Sequence, residues 1–160
     1  MGFDAPYHVT GLHVKEEWID YNGHLNMAFY HVLFDNAVDI AFAEFGMGPD
    51  YVTERGASFY TMEAHINYLR EIHLNDPLRV SLHLLDYDAK RVHYFMEMFH
   101  EKDGWLAATT EHLCMHVDMT EKRSSPFPDD VVAKIAEMHE AHKDLPRADN
   151  VGRVIGIKRK

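Results

Sequence analysis

The chain predicts an α+β fold in which an antiparallel sheet is rolled around one long central helix. Three observations predict it. The length, 160 residues, suits one domain with a core of its own. The segment Asn26 to Phe45 contains neither Gly nor Pro and is apolar almost all round. Four strand-like runs follow it with no helix between them, which excludes the strand–helix alternation of a parallel sheet.

The elements follow in order. His8 to Ile19 has β-branched residues with ragged alternation and predicts a first strand. Asn26 to Phe45 predicts the helix, stopped by Gly46. Its polar stripe is narrow: His31, Asp35 and Asp39 at i, i+4 and i+8, with Asn36 beside them. A surface helix buries one stripe and exposes the rest, so this reversed pattern predicts a helix covered on most sides. A loop or helical turn, Gly46 to Gly56, leads to the second strand, Ser58 to Leu69. There Tyr60, Met62, Ala64, Ile66 and Tyr68 alternate and are assigned to the face that meets the helix. Leu78 to Tyr87, Val92 to His100 and Trp105 to Met119 form a meander, with turns near Asp88-Ala89 and at Lys102-Asp103-Gly104. After Pro126 and Pro128, Asp129 to His142 predicts a short amphipathic helix with Val131, Val132, Ile135 and Met138 on one face. Residues 1–145 are therefore expected to form the domain, and residues 146–160 a basic tail.

Composition narrows the function. The formal charge of −10 disfavours nucleic acid, which needs a basic surface. Cys114 is the only cysteine, so no intrachain disulfide is possible, and a reducing, cytoplasmic setting is expected. Met1 to Thr10 carries Asp4 and Pro6 and no apolar run, unlike a secretory signal. Pro6 also stands where a myristoylation motif wants Ser or Thr. No stretch approaches the ~18 apolar residues of a membrane span. Two basic clusters could receive a polyanion: Lys90-Arg91, and the tail residues Arg147, Arg153, Lys158, Arg159 and Lys160. A solubilising end explains that tail equally well.

The chemistry concentrates in Asp20-Tyr21-Asn22-Gly23-His24-Leu25-Asn26, between the first strand and the long helix. A helix N-terminus presents unpaired N–H groups and a positive dipole end, suited to a developing oxyanion. A carboxylate and an imidazole lie just upstream, and Gly23 lets the backbone turn sharply and a ligand approach. A base or nucleophile, a polar orienter and a backbone electrophile are what thioester hydrolysis needs. Plain capping competes with this reading, because Asn26 is a good N-cap and Asp-x-Asn-Gly is ordinary turn chemistry.

Other groups are weaker candidates. His31 and Asp35 have a spacing that can chelate, but solvent or subunit contact explains them more simply. His112 and His116 lie about 13 Å apart along a strand, too far for one ion, and together with Cys114 they are assigned to an outward face. Cys114 in mid-strand is expected to be inert, and Ser124-Ser125 lacks a Gly-x-Ser-x-Gly context. Glu63 and His65 are assigned to the face away from the helix, as interface or outer-face residues. No metal site and no Gly-rich phosphate loop is expected.

The segment Asp20 to Asn26 resembles the Asp-x-Asn-x-His-x-Asn pattern of hotdog-fold thioesterases, including the plant acyl-carrier-protein thioesterases. Its Asp-x-x-Gly frame is similar to that of the 4-hydroxybenzoyl-CoA thioesterase family. Asp20–Phe29, Ile66–Glu71 and Glu111–Asp118 also resemble thioesterases associated with carnitine and betaine catabolism. The resemblance implies a hotdog fold and hydrolysis of a short- or medium-chain acyl-CoA, betaine-like in one version, with no metal or redox cofactor. It implies a homodimer or dimer of dimers whose active sites are built from two subunits. Carried onto this chain, Asp20 would be nucleophile or general base, Asn22 would orient water or the aspartate, and His24 would assist proton transfer or position the substrate. Gly23, Asn26 and the N–H near Met27 would receive the substrate. A non-catalytic acyl-CoA-binding regulator and a hydroxyacyl-thioester dehydratase are the alternatives.

Overall fold

The structure, a computed structural model, describes residues 2–160. The elements run β1 (Tyr7–Leu12), α1 (Met27–Ala43), α2 (Tyr51–Arg55), β2 (Ala57–Tyr68), β3 (Leu78–Tyr87), β4 (Arg91–His100), β5 (Leu106–Asp118), β6 (Arg123–Ser124) and α3 (Asp129–His142). The sheet is antiparallel in the order β1-β3-β4-β5-β2, with the two-residue β6 also paired to β5. Helix α1 lies against its inner face, as the segment's composition predicts.

The start of α1 is fixed by Asn26, whose side chain accepts the Ala28 N–H. Its end is fixed by Gly46, at φ +82°, a conformation that L side chains rarely adopt. Tyr30, Leu33, Phe34, Ala37, Val38, Ala41 and Phe42 are buried. Phe42 meets Phe59 of β2 at 4.5 Å and Tyr94 of β4 at 5.4 Å between ring centroids. The expectation of cover on most sides is corrected for the single chain: Met27, Val32 and Ile40 are 62%, 37% and 47% exposed. The sheet curls over one side of α1 and leaves the other bare.

The first strand is shorter than predicted. It ends at Leu12, and Glu16–Trp18 forms a 3-10 turn that carries the chain to Asp20. The predicted alternation of β2 is broken. Thr61 pairs with Cys114 and Glu63 with Leu113, which leaves Met62 as the extra residue of a β-bulge. The bulge exchanges the two faces, because side chains alternate with a period of two. Phe59 and Thr61 face α1 before it, and Ala64, Ile66 and Tyr68 do so after it. Tyr60 therefore lies on the outer face opposite Met115, contrary to its assignment to the helix side, while Glu63 and His65 lie on the outer face as expected.

The assignment of His112, Cys114 and His116 to an outward face is also corrected. They are 7%, 0% and 2% exposed and point inward, His112 and Cys114 toward Tyr94 and His116 toward Tyr51 of α2. Each finds a partner there, which is what permits polar side chains in the core. Tyr94 OH bonds His112 Nδ1 at 3.0 Å and Cys114 Sγ at 3.1 Å, and Tyr51 OH bonds His116 Nε2 at 2.8 Å. Helix α3 buries Val131, Ile135 and Met138. His142 Nδ1 accepts the Leu84 N–H at 3.0 Å beside the β3–β4 bulge, which ties α3 to the sheet.

Candidate active site at the entrance to helix α1

The loop Asp20–Asn26 is a closed turn. Asp20 N–H donates to His24 O at 3.2 Å, Gly23 N–H donates to Asp20 O at 2.9 Å, and Ile19 bridges Leu25. Gly23 has φ +82°, which accounts for glycine there. Two further bonds fasten the loop to the body: Leu25 N–H to Ile72 O at 2.8 Å and Asn26 N–H to Trp18 O at 3.0 Å. Trp18 stacks on Phe29 of α1 at 5.4 Å with an interplanar angle of 13°, so loop and helix are packed as one unit.

The Asp20 carboxylate is held at both oxygens. Oδ1 accepts the Asn22 backbone N–H at 2.8 Å, and Oδ2 accepts the Asn26 side-chain N–H at 3.1 Å. Each oxygen retains acceptor capacity. Asn22 thus acts on Asp20 through its backbone, with its side chain exposed. Asn26 caps α1 and orients the carboxylate with one amide. At the first turn of α1, the Ala28 N–H is taken by Asn26 Oδ1 and the Phe29 N–H by Asn26 O. The Met27 N–H has no acceptor among the described residues.

His24 is not hydrogen-bonded to Asp20. Its Nδ1 lies 3.3 Å from Leu25 O, and its Nε2 lies 3.8 Å from Glu71 Oε1. Glu71 also lies 3.9 Å from His73 Nε2, so the imidazole belongs to a His24–Glu71–His73 group in the β2–β3 connection. His24 and Met27 line a pocket of about 280 Å³ with Tyr30, Tyr68, Arg70 and Glu71. Tyr68 OH donates to Met27 O at 3.0 Å, and the Tyr30 and Tyr68 rings meet edge to face at 5.1 Å. Burial raises the pKa of both phenols, which stay neutral. The sequence does not single out Arg70 and Glu71 as lining residues. Their signal was the end of β2, which pairs alongside the helix start only in three dimensions.

The remaining candidates separate from this loop. Burial raises the Cys114 thiol pKa, the opposite of what a nucleophilic thiolate needs. His112 is pushed down to about 4, chiefly by burial and further by the neighbouring His31. Among the described residues, no group of three or more His, Cys, Asp or Glu side chains is placed to hold a metal ion.

Comparison with known proteins places the chain in a family. Residues 14–135 match the family model of the thioesterase-like superfamily. The chain is 38% identical over 144 residues to a betainyl-CoA thioesterase of Pseudomonas aeruginosa, covering 90% of this chain and 91% of that one. It is 37% identical over 155 residues to an L-carnitine dehydrogenase/betainyl-CoA thioesterase of Rhizobium meliloti, of whose length it spans 31%. Its fold superposes on a Staphylococcus aureus protein solved in complex with CoA, with TM-score 0.89, 29% identity and 98% of both chains covered. It also superposes on a 1,4-dihydroxy-2-naphthoyl-CoA thioesterase from Synechocystis, with TM-score 0.73 and 16% identity over 82% of this chain and 96% of that one. The chain is a thioester hydrolase that belongs to the thioesterase-like superfamily and has its hotdog fold.

Proposed function

We propose that the chain hydrolyses betainyl-CoA, or a similarly short acyl-CoA, at the entrance to α1. The observation that carries the substrate is the 38% identity to the Pseudomonas betainyl-CoA thioesterase across nine-tenths of both chains. The pocket beside Met27 supports it. Tyr30 and Tyr68 offer aromatic faces and Glu71 offers a carboxylate, the groups that attract a quaternary ammonium.

In this reading the thioester carbonyl oxygen meets the free Met27 N–H at the positive end of α1, where negative charge is stabilised as it develops. Asp20 acts on the carbonyl carbon, either directly as nucleophile or by taking a proton from an attacking water. The C–S bond breaks, and the CoA thiolate leaves and is protonated. Both routes consume one water and release the free acid and CoA. Asn26 holds Asp20 in orientation throughout. A single turnover in ¹⁸O water tests direct attack: label on the Asp20 carboxylate marks it, through water opening the mixed anhydride at the Asp20 carbonyl.

The test of the substrate is a panel of betainyl-CoA, short straight-chain, long-chain and aroyl-CoA thioesters compared by kcat/KM. Betainyl-CoA is expected to lead. A best substrate of about sixteen carbons or more overturns this reading, and CoA binding without thiol release favours the non-catalytic regulator.

The same reading includes self-association through β2. That strand is an edge of the sheet, and Tyr60 and Met62 on it are 47% and 53% exposed. Exposed edges of this kind are normally paired or covered. Light scattering that gives only the 18.6 kDa monomer in a fully active sample removes the dimer.

A further inference from the structure

A larger cavity than the one at the α1 entrance lies on the outer face of the sheet, a groove of about 820 Å³. Leu113 and the acidic side chains Glu63, Asp86, Asp88 and Glu111 are among the residues that line it. Arg91 is committed to Asp88, and His93 Nε2 lies 2.8 Å from Glu111 Oε2. Glu63 and Asp86 form no ion pair among the described residues and leave the groove acidic.

The segment after α3 reaches the rim of this groove. Asn150 Nδ2–H donates to Thr109 Oγ1 at 2.6 Å, and the Gly152 N–H donates to Glu111 Oε1 at 2.6 Å. These two bonds anchor the segment on the outer face of β5. Beyond them the chain leaves the body. Val154, Ile155 and Ile157 are 85%, 84% and 84% exposed, and only Ile155 borders the groove. Arg153, Lys158, Arg159 and Lys160 form no ion pair among the described residues. A basic arm with three exposed aliphatic side chains and an acidic groove that includes Leu113 thus lie side by side. A chain that closed its own groove would have buried these three aliphatic side chains.

We infer that residues 153–160 are an arm that docks in the outer-face groove of a second copy of this chain. The basic residues answer Glu63 and Asp86, and the aliphatic side chains of Val154, Ile155 and Ile157 cover Leu113. Anchoring at Gly152 fixes where the arm departs and limits the entropy lost when it docks. Reciprocal exchange of arms is self-complementary and closes with two-fold symmetry. This inference does not rest on the thioesterase reading, and its test does not read activity.

The experiment mixes two single variants of the full chain, Ile155→Cys and Asp86→Cys, through co-expression, followed by mild oxidation. Both positions are exposed or on the groove rim, and the native Cys114 is fully buried. The expected product is a disulfide-linked species of twice the 18.6 kDa chain mass. Peptide mapping should show the link running from position 155 of one copy to position 86 of the other. The yield should fall several-fold in 1 M salt, where the Debye length is about 3 Å. Absence of the 155–86 link in folded protein overturns the inference, as does a yield indifferent to salt. If Asp86→Cys fails to fold, Arg91→Cys, exposed on the same groove, replaces it with the same two outcomes.

Discussion

Asn26 and Asp20 are joined side chain to side chain: Asn26 Nδ2–H donates to Asp20 Oδ2 at 3.1 Å while Asn26 Oδ1 accepts the Ala28 N–H at 3.0 Å. One amide therefore couples the start of α1 to the orientation of the carboxylate. The two roles can be separated. Asn26→Ser keeps an N-cap, so its stability should stay within about 0.5 kcal/mol of the parent, while Asn26→Ala should lose about 1 kcal/mol. Neither variant can hold Asp20, and both should lose roughly 10–100-fold in kcat, the scale of misplaced catalytic geometry. Denaturation curves and turnover of both variants check this, and full activity in Asn26→Ser would remove the orienting role.

Asp20→Asn should leave the loop folded, because the new amide still offers an oxygen to the Asn22 N–H. It should cut kcat by about 10²–10⁴, the usual scale for loss of an acid–base group. Thiol release from acyl-CoA measures it, and near-parental turnover would take Asp20 out of the mechanism.

Gly23→Ala is strained by conformation alone. At φ +82° a Cβ would meet nothing within 4 Å, so no clash contributes. The left-handed backbone should cost about 1 kcal/mol. A midpoint shift in chemical denaturation measures that cost, and an unchanged midpoint would show that the loop relaxes freely.

His112 gives a pH dependence of stability. Its folded-state pKa is about 4, lowered first by burial and then by His31, against about 6.5 for an unperturbed imidazole. Between those values the unfolded chain binds a proton that the folded chain refuses. Stability is therefore complete above about pH 6.5 and is lost as the pH falls toward 4, by about 3 kcal/mol from this residue. Burial lowers His83, His116 and His142 as well, in the same direction. His112→Gln should flatten the loss between pH 6.5 and 4.5 without abolishing it. Denaturation midpoints at several pH values read the slope, and an unchanged slope would contradict a neutral, buried His112.

The order of elements, the long helix and the meander were legible in the sequence, because they depend on local pattern: no Gly or Pro from Asn26 to Phe45, and turns near Asp88-Ala89 and at Lys102-Asp103-Gly104. The loop Asp20–Asn26 was legible for a similar reason, since its residue types and spacing are local. Its internal bonds were not: Asn22 reaches Asp20 through a backbone N–H, Asn26 reaches it through its side chain, and His24 turns toward Glu71. The bulge at Met62 was invisible because two residues against one is a property of the β2–β5 pair. With it went the face assigned to Tyr60.

By itself, then, the sequence determined which segments become helix and strand and where a carboxylate, a glycine and a capping asparagine meet a helix start. Periodicity, breakers and caps act within a few residues of one another. Only the tertiary structure decided which way His112, Cys114 and His116 point, because a strand's alternation defines two faces without saying which is covered. It also decided that Ile155 borders an acidic groove on the far side of the sheet. That juxtaposition brings together residues about forty to ninety positions apart, which long-range strand pairing and the anchoring of Gly152 to Glu111 make possible.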